Sequence, residues 1–308
     1  MKPVYFNHDG GVDDLVSVLL LTQMETVHLL GISVIPADSY LEPAVSATEK
    51  IVNVFGKEPV EVAASTSRGV NPFPSEWRLH PYYVDALPVL NETDDQPSLV
   101  VDEPAHKHMI RKIHEASEPV TLVFTGPLTD LARALDRDPT IEDKIERLYW
   151  MGGTFKEKGN VQEPHHDSTA EWNAFWDPVS TDRVWKSSLD ILLVSLESTD
   201  ELPLTNARRK EWAKLRNHEK IDFLGQCYAS VPPLVFSETN STYYLWDVFT
   251  AAMAGKPSFA TEKEVTCIVH TEGASQGRIE KSPTARSVHY VDSVDADAFF
   301  RYMIELLK

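Results

Sequence analysis

The chain has 308 residues, 42% of them hydrophobic and 25% charged, enough to bury a full core without disulfide or metal staples. Its formal charge of −18 argues against a nucleic-acid or anionic-membrane partner, which requires a basic footprint. Cys227 and Cys267 stand alone, outside any CxxC or Cys/His spacing, which gives no support for a zinc site or a disulfide scaffold and suits a reducing, cytoplasmic setting. No run approaches the roughly 18 apolar residues of a membrane span, and "MKPVYFNHDG" has no signal-peptide core.

The predicted elements alternate short apolar runs with helical patterns, which argues for βα units and a mostly parallel sheet. "PVYFN" (3–7) is the first predicted strand, and residues 13 to about 24 form a helix apolar almost all round, expected to be buried. "HLLGISVI" (28–35) is a second strand, and "AVSATEKIVNVFG" (44–56) a helix ending at Gly56. Residues 66–99 break the pattern with Pro72, Pro74, Pro81, Pro88 and Pro97. Irregular stretches of that length are usually binding loops or lids. Further strands are predicted at "PVTLVFTG" (119–126), "LYWMGG" (148–153) and "LDILLVSL" (189–196), and a closing helix at "DAFFRYMIELL" (297–307). With no repeat, low-complexity tract or linker, residues 1–308 read as one domain: an open α/β sheet with helices on both faces.

Ligands in such sheets gather beyond the carboxyl ends of the strands, and there the sequence is most unusual. In "YFNHDGGVDD" (5–14), Asp9, Asp13 and Asp14 crowd a glycine turn at the mouth of a helix. One carboxylate there is ordinary capping; three are also what an oxygen-loving cation such as calcium uses. The stretch alone leaves both readings open. The acidic spacing is not that of an EF-hand, and P-loop, GxGxxG and GxSxG motifs are absent.

Four more stretches put acids, amides or tryptophan beside turns: "GVNPFPSEWR" (69–78), "FTGPLTD" (124–130), "STAEWNAFWDP" (168–178) and "TYYLWDVFTAA" (242–252). Together with "HDGGVDD" they resemble, in order and spacing, the inosine-uridine family of nucleoside N-ribohydrolases over nearly the whole chain. The His-Asp-Gly opening and the late Trp-Asp pair resemble the branch that prefers inosine, adenosine and guanosine. The resemblance implies a Rossmann-related sheet and calcium-dependent cleavage of purine ribonucleosides to base and ribose. It further implies a homodimer or homotetramer. It makes Asp9 the general base and a calcium ligand, with Asp14, the Thr125 carbonyl and Asp247 as further ligands. Asp13 and Asn173 would bind ribose hydroxyls, Asn160 and Glu171 the 5′-hydroxyl side, and Asp38 the base or ribose. Trp77 and Trp246 would sandwich the purine.

Departures from the family pattern are Asn7 for its first Asp, Gly10 for Pro, and Trp246 for a His that serves as leaving-group acid. The stretch "SETNST" (237–242) lacks the basic character associated with closure over a purine. Blander readings stand beside these. Trp246 fits a core position, Glu171 and Asn173 fit caps of a helix starting near Asp177, and Thr125 and Thr129 also fit capping positions. His165, His166 and Asp167 read as a solvated loop, and His106, His108 and His114 as exposed positions on one helix. The competing functions are cleavage of a pyrimidine or nicotinamide riboside, and a non-catalytic nucleoside binder, which would need no base at Asp9.

Overall fold

The structure is a computed structural model that describes residues 1–93, 96–230 and 243–308. The "SETNST" stretch lies outside the described residues. In chain order the elements are β1 (Lys2–His8), α1 (Val12–Gln23), β2 (Val27–Val34), α2 (Leu41–Phe55) and β3 (Val62–Ala64). There follow α3 (His80–Asp85), β4 (Val100–Val101), α4 (Ala105–Glu115), β5 (Val120–Phe124), α5 (Thr129–Arg137) and β6 (Ile145–Met151). The middle of the chain adds α6 (Trp172–Trp176), α7 (Pro178–Trp185), β7 (Ile191–Val194), α8 (Leu196–Thr199), β8 (Pro203–Leu204), α9 (Asn206–Lys214) and α10 (Glu219–Ala229). The last part holds β9 (Tyr243–Tyr244), α11 (Trp246–Gly255), β10 (Ala260–Val269), β11 (Ile279–Lys281), β12 (Ser287–Val294) and α12 (Ala296–Leu307).

Ten strands form one sheet in the order β11-β10-β12-β7-β6-β5-β1-β2-β3-β4. From β12–β7 to β3–β4 every pairing is parallel, while β10 runs antiparallel to both β11 and β12. The alternation of side chains along a strand divides two cores between the faces. Val4 and Phe6 pack with α1, α2, α11 and α12 on one face, and Tyr5 packs with α4 and α5 on the other. Helix α1 lies across the first core with every residue but Thr22 buried, as its all-round apolar pattern predicts.

The predicted strands and helices are all present, shifted by a few residues at their ends. The antiparallel strands after residue 260 are additions: β10 reads "ATEKEVTCIV" and is exposed along much of its length, so it carries too little apolar signal. The 66–99 segment is less irregular than its prolines imply, since it folds α3 and a 3-10 turn at Pro88–Leu90 against α2, with another 3-10 turn at Trp77–Leu79 leading into α3. The expectation of three exposed histidines on one helix is wrong. His106 and His108 are buried and only His114 is exposed, because α4 packs against both β2 and α5; His108 Nε2 bonds Glu61 Oε2 at 3.0 Å and its Nδ1 bonds the Tyr5 hydroxyl at 2.8 Å, whereas His106 Nδ1 is buried without a partner. Among the described residues no helix is long and apolar enough to cross a membrane.

Candidate active site

The carboxyl ends of β1 and β5 and the start of α11 meet at one end of the sheet. After His8, a turn through Gly10 at φ +85° delivers the chain into α1. A Cβ on Gly10 would lie 2.3 Å from Ser39 Oγ and 2.5 Å from the Ala44 Cβ. Only glycine fits there, for space as well as for conformation. Ser39 Oγ in turn donates to the Asp9 carbonyl, fixing the turn against the loop before α2.

Five carboxylates converge on this turn. Asp9, Asp13, Asp14 and Asp247 are buried and Asp38 is partly buried. A Cβ on Gly11 would come within 3.0 Å of Asp38 Oδ2, 3.2 Å of Asp14 Oδ2 and 3.6 Å of Asp13 Oδ1. The Asp38 amide donates to Asp9 Oδ2 at 3.3 Å. Asp14 accepts from the Gly11 amide at 2.8 Å and from Thr125 Oγ1 at 2.5 Å. Asp13 accepts from the Tyr243 hydroxyl at 3.1 Å and from the Asp247 amide at 3.2 Å. Asn173 Nδ2 donates to the carbonyls of Thr125 at 2.9 Å and Met151 at 3.0 Å. A carbonyl has two lone pairs, so Thr125 retains one for a further partner.

Magnitudes separate capping from ion binding. A carboxylate at a helix N-terminus gains about 0.3–1 kcal/mol from the dipole, whereas two carboxylates ~4 Å apart repel by about 4 kcal/mol at an effective dielectric of roughly 20. Capping cannot offset five such groups. Burial raises the pKa of each of the five carboxyls, and neighbouring aspartates raise Asp9, Asp14, Asp38 and Asp247 further. The guanidinium of Arg78 acts on Asp38 in the opposite direction. Asp38 Oδ1 is buried without a partner. The donor set is all oxygen, the composition that calcium takes. The described residues nonetheless hold no ready-made group of three or more acidic, imidazole or thiol side chains arranged to hold a metal ion.

The other expected residues are placed unevenly. Glu171 is buried and accepts from the amides of Gly153, Asn173 and Ala174. It caps α6 rather than the helix that starts after Asp177, which Asp177 caps itself. Burial outweighs those donors and pushes its carboxyl up to about 7. Asn160 is exposed, and its Oδ1 accepts from the Trp172 amide at 3.2 Å. Trp77 lies edge-on to Trp172 at 5.4 Å, and Trp246 edge-on to Tyr243 at 4.7 Å. Both indoles are partly exposed, so Trp246 is not a core residue.

Three residues escape a sequence reading. Tyr243 touches Asp13 from across the chain, although it stands within the "TYYLWD" stretch. Asp130 is fully buried beneath the turn, accepting from Ser65 Oγ at 2.8 Å, Ser67 Oγ at 2.6 Å and Asn7 Nδ2 at 3.3 Å. Asn7 therefore bonds Asp130 and Ser33. His8 sits in apolar surroundings that lower its pKa to about 3; its neutral ring, 3.2 Å from Thr48 Oγ1, ties β1 to α2.

A family model described as inosine-uridine preferring nucleoside hydrolase matches residues 4–301. The chain belongs to that family. It is a nucleoside hydrolase acting on N-ribosides, and its fold agrees. A crystal structure of the inosine-uridine preferring nucleoside hydrolase from Bacillus anthracis is 57% identical, covers 100% of this chain and 99% of its own, and superposes with a TM-score of 0.96. The probable uridine nucleosidase 1 of Oryza sativa subsp. japonica is 27% identical over 270 residues, 87% of this hydrolase and 81% of its own length. A pyrimidine-specific ribonucleoside hydrolase of Shewanella woodyi is 25% identical over 282 residues, 88% and 85% of the two chains. The purine-preferring ribonucleoside hydrolase from Gardnerella vaginalis, at 22% identity, TM-score 0.83 and coverage of 99% and 98%, shares the fold.

Proposed function

We propose that this hydrolase cleaves purine ribonucleosides to free base and ribose with a calcium ion bound among its aspartates. The observation that carries the reading is the convergence of Asp13, Asp14 and Asp38 on Gly11, with Asp9 and Asp247 beside them and carboxyl pKa values raised throughout. Asp9, Asp14, Asp247 and the Thr125 carbonyl would hold the ion. Bound there, calcium lowers the pKa of a water molecule and orients vicinal ribose hydroxyls.

The chain's own groups do the rest. Asp9 takes the proton from the attacking water. The water oxygen bonds to C1′ as the C1′–N bond breaks, and the electron pair leaves with the purine, which is protonated from solvent. Positive charge builds on the ribosyl ring in that step, and the surrounding carboxylates stabilise it. Asp13 and Asn173 hold the ribose hydroxyls, and Glu171 with Asn160 the 5′ side. Trp77 and Trp246, neither buried, offer rings to the base. Aromatic stacking adds about 0.5–1.5 kcal/mol beyond burial, so the pair selects for ring size more than it accelerates cleavage. A cytoplasmic homodimer or homotetramer belongs to the same proposal.

A second reading, cleavage of pyrimidine ribosides, is favoured by the names of the rice and Shewanella relatives. Ribose release from inosine, guanosine, adenosine and uridine, measured without phosphate, separates the two. Purine-selective release supports the tryptophan pair; uridine turnover at a comparable rate overturns it.

A further inference from the structure

We propose, resting on the reading that Asn160 meets the 5′ side of the ribose, that His166 is the residue that positions Asn160 for that contact, acting through Ser168 and Gly159.

The sequence places His165, His166 and Asp167 together in a solvated loop, and the structure separates them. His165 and Asp167 are exposed, whereas His166 is partly buried, with its ring in a T-shaped contact to Phe175 of α6 at 4.9 Å. Both ring nitrogens are engaged, and their partners leave one tautomer. Nδ1 lies 3.0 Å from the Ser168 amide, which can only donate. Nε2 lies 3.0 Å from the Gln276 carbonyl, which can only accept. The ring therefore carries its proton on Nε2 and a lone pair on Nδ1, and it joins the loop to the turn between β10 and β11.

From that ring the hydrogen bonds lead to Asn160 in two steps. The Ser168 carbonyl accepts from the Gly159 amide at 2.8 Å, and the next amide, that of Asn160, donates to the Ala170 carbonyl at 3.1 Å. These two legs of the loop are in close contact, since a Cβ on Gly159 would stand 1.9 Å from the Ala170 oxygen. A shift of the returning leg is thus passed to the leg that carries Asn160. Ser168 itself has φ +64°, a backbone state that a side chain rarely adopts and that persists only where the surroundings impose it. The His166 ring, by taking the Ser168 amide, is part of what imposes it.

The far end of the latch is fixed to α6. Gln276 Oε1 accepts from Asn71 Nδ2 at 3.0 Å, and the same Nδ2 donates to the Phe175 carbonyl at 2.6 Å. Gly277 abuts the helix, where an added Cβ would come within 2.6 Å of Phe175 Cα. Asp167 donates its amide to the Ala274 carbonyl at 2.9 Å and accepts from the Ser275 hydroxyl. Helix α6 also holds Asn160 directly: the Trp172 amide donates to Oδ1 at 3.2 Å and Trp172 Nε1 to the carbonyl at 3.1 Å. Those bonds take the acceptors of Asn160 and leave Nδ2 as the group it offers to a 5′-hydroxyl. Trp172 holds Asn160 from one side and the His166 latch from the other, in the same frame as Glu171 and Asn173.

Comparing kcat/KM for inosine and for 5′-deoxyinosine, which lacks the hydroxyl, tests the role in the intact protein. A hydrogen bond between neutral groups is worth up to about tenfold, so the parent should prefer inosine by roughly that factor. His166→Ala should cut the preference by about threefold or more while turnover of 5′-deoxyinosine stays within about twofold of the parent. A merely structural defect would lower both substrates alike. His166→Asn keeps an acceptor two residues before Ser168, a reach that asparagine makes readily, and should restore the preference. In an Asn160→Ala background His166→Ala should change the preference no further, the non-additivity expected of residues that act as a unit. A parent that cleaves both nucleosides equally well would overturn the 5′ contact and, with it, the role of His166. A parent that discriminates, beside a His166→Ala variant that discriminates as well or loses both substrates equally, would overturn the role of His166 alone, as would failure of His166→Asn to restore the preference.

Discussion

Asp9 closes the first strand, accepts the Asp38 amide and stands beside Asp14, so a single carboxyl combines structural and chemical duties. Replacing it separates them. Asp9→Asn keeps the shape and the acceptor oxygen but removes the base, and should lower kcat by about 10²–10⁴ with an unchanged unfolding midpoint; retained turnover would remove Asp9 from its role. Glu171 gives a pH test. Its folded pKa is raised from 4.5 to about 7, so the folded state holds a proton that the unfolded chain releases. That contribution to stability is present below pH 4.5 and is lost as pH rises through 7. Urea midpoints of Glu171→Gln should therefore fall less between those pH values than those of the parent; parallel curves would contradict the assignment. The aspartates of the turn were legible in the sequence because charge repulsion makes three acids in six residues unusual. Tyr243 and Asp130 were not, because their meaning lies in contacts with Asp13 and with Ser65 and Ser67, which only the folded chain creates.

At the scale of elements, the site depends on how β1 enters α1. Gly10→Ala imposes an L side chain on a left-handed backbone, costing roughly 1–3 kcal/mol, and drives its Cβ into Ser39 and Ala44. Both stability and turnover should drop; a variant with full activity would show that the turn is not fixed. Within α1, Leu19 is fully buried, and Leu19→Ala should lower unfolding stability by about 2–5 kcal/mol while leaving KM close to that of the parent, a pairing that equilibrium unfolding and initial rates check. Parallel strands such as β5 and β6 were legible because both faces are covered, which gives continuous apolar runs stopped by glycine or a turn. Strand β10 pairs at the sheet edge with charged residues facing solvent, and its alternation is too diluted by Glu262, Lys263 and Glu264 to be read. The prolines of 66–99 mislead in the opposite direction: Pro81 sits in the first turn of α3, a position where proline favours a helix.

The molecule as a whole places acids from distant parts of the chain, Asp9 to Asp14, Asp38 and Asp247, at one end of a ten-stranded sheet. Protons or a cation among the carboxyls would each relieve the repulsion within that assembly. On the proposed function, calcium should raise the melting midpoint by mass action, and magnesium, which demands tighter octahedral geometry, should do so less. The proposed function requires the aspartate cluster to hold the ion that makes the site work. Its most direct test is the titration of calcium into chelator-stripped protein, with bound ion and inosine turnover followed together. One calcium per chain, with turnover rising in proportion to occupancy, is the predicted result. Full turnover by the stripped protein, or calcium bound equally well after Asp14→Asn and Asp247→Asn, would contradict it.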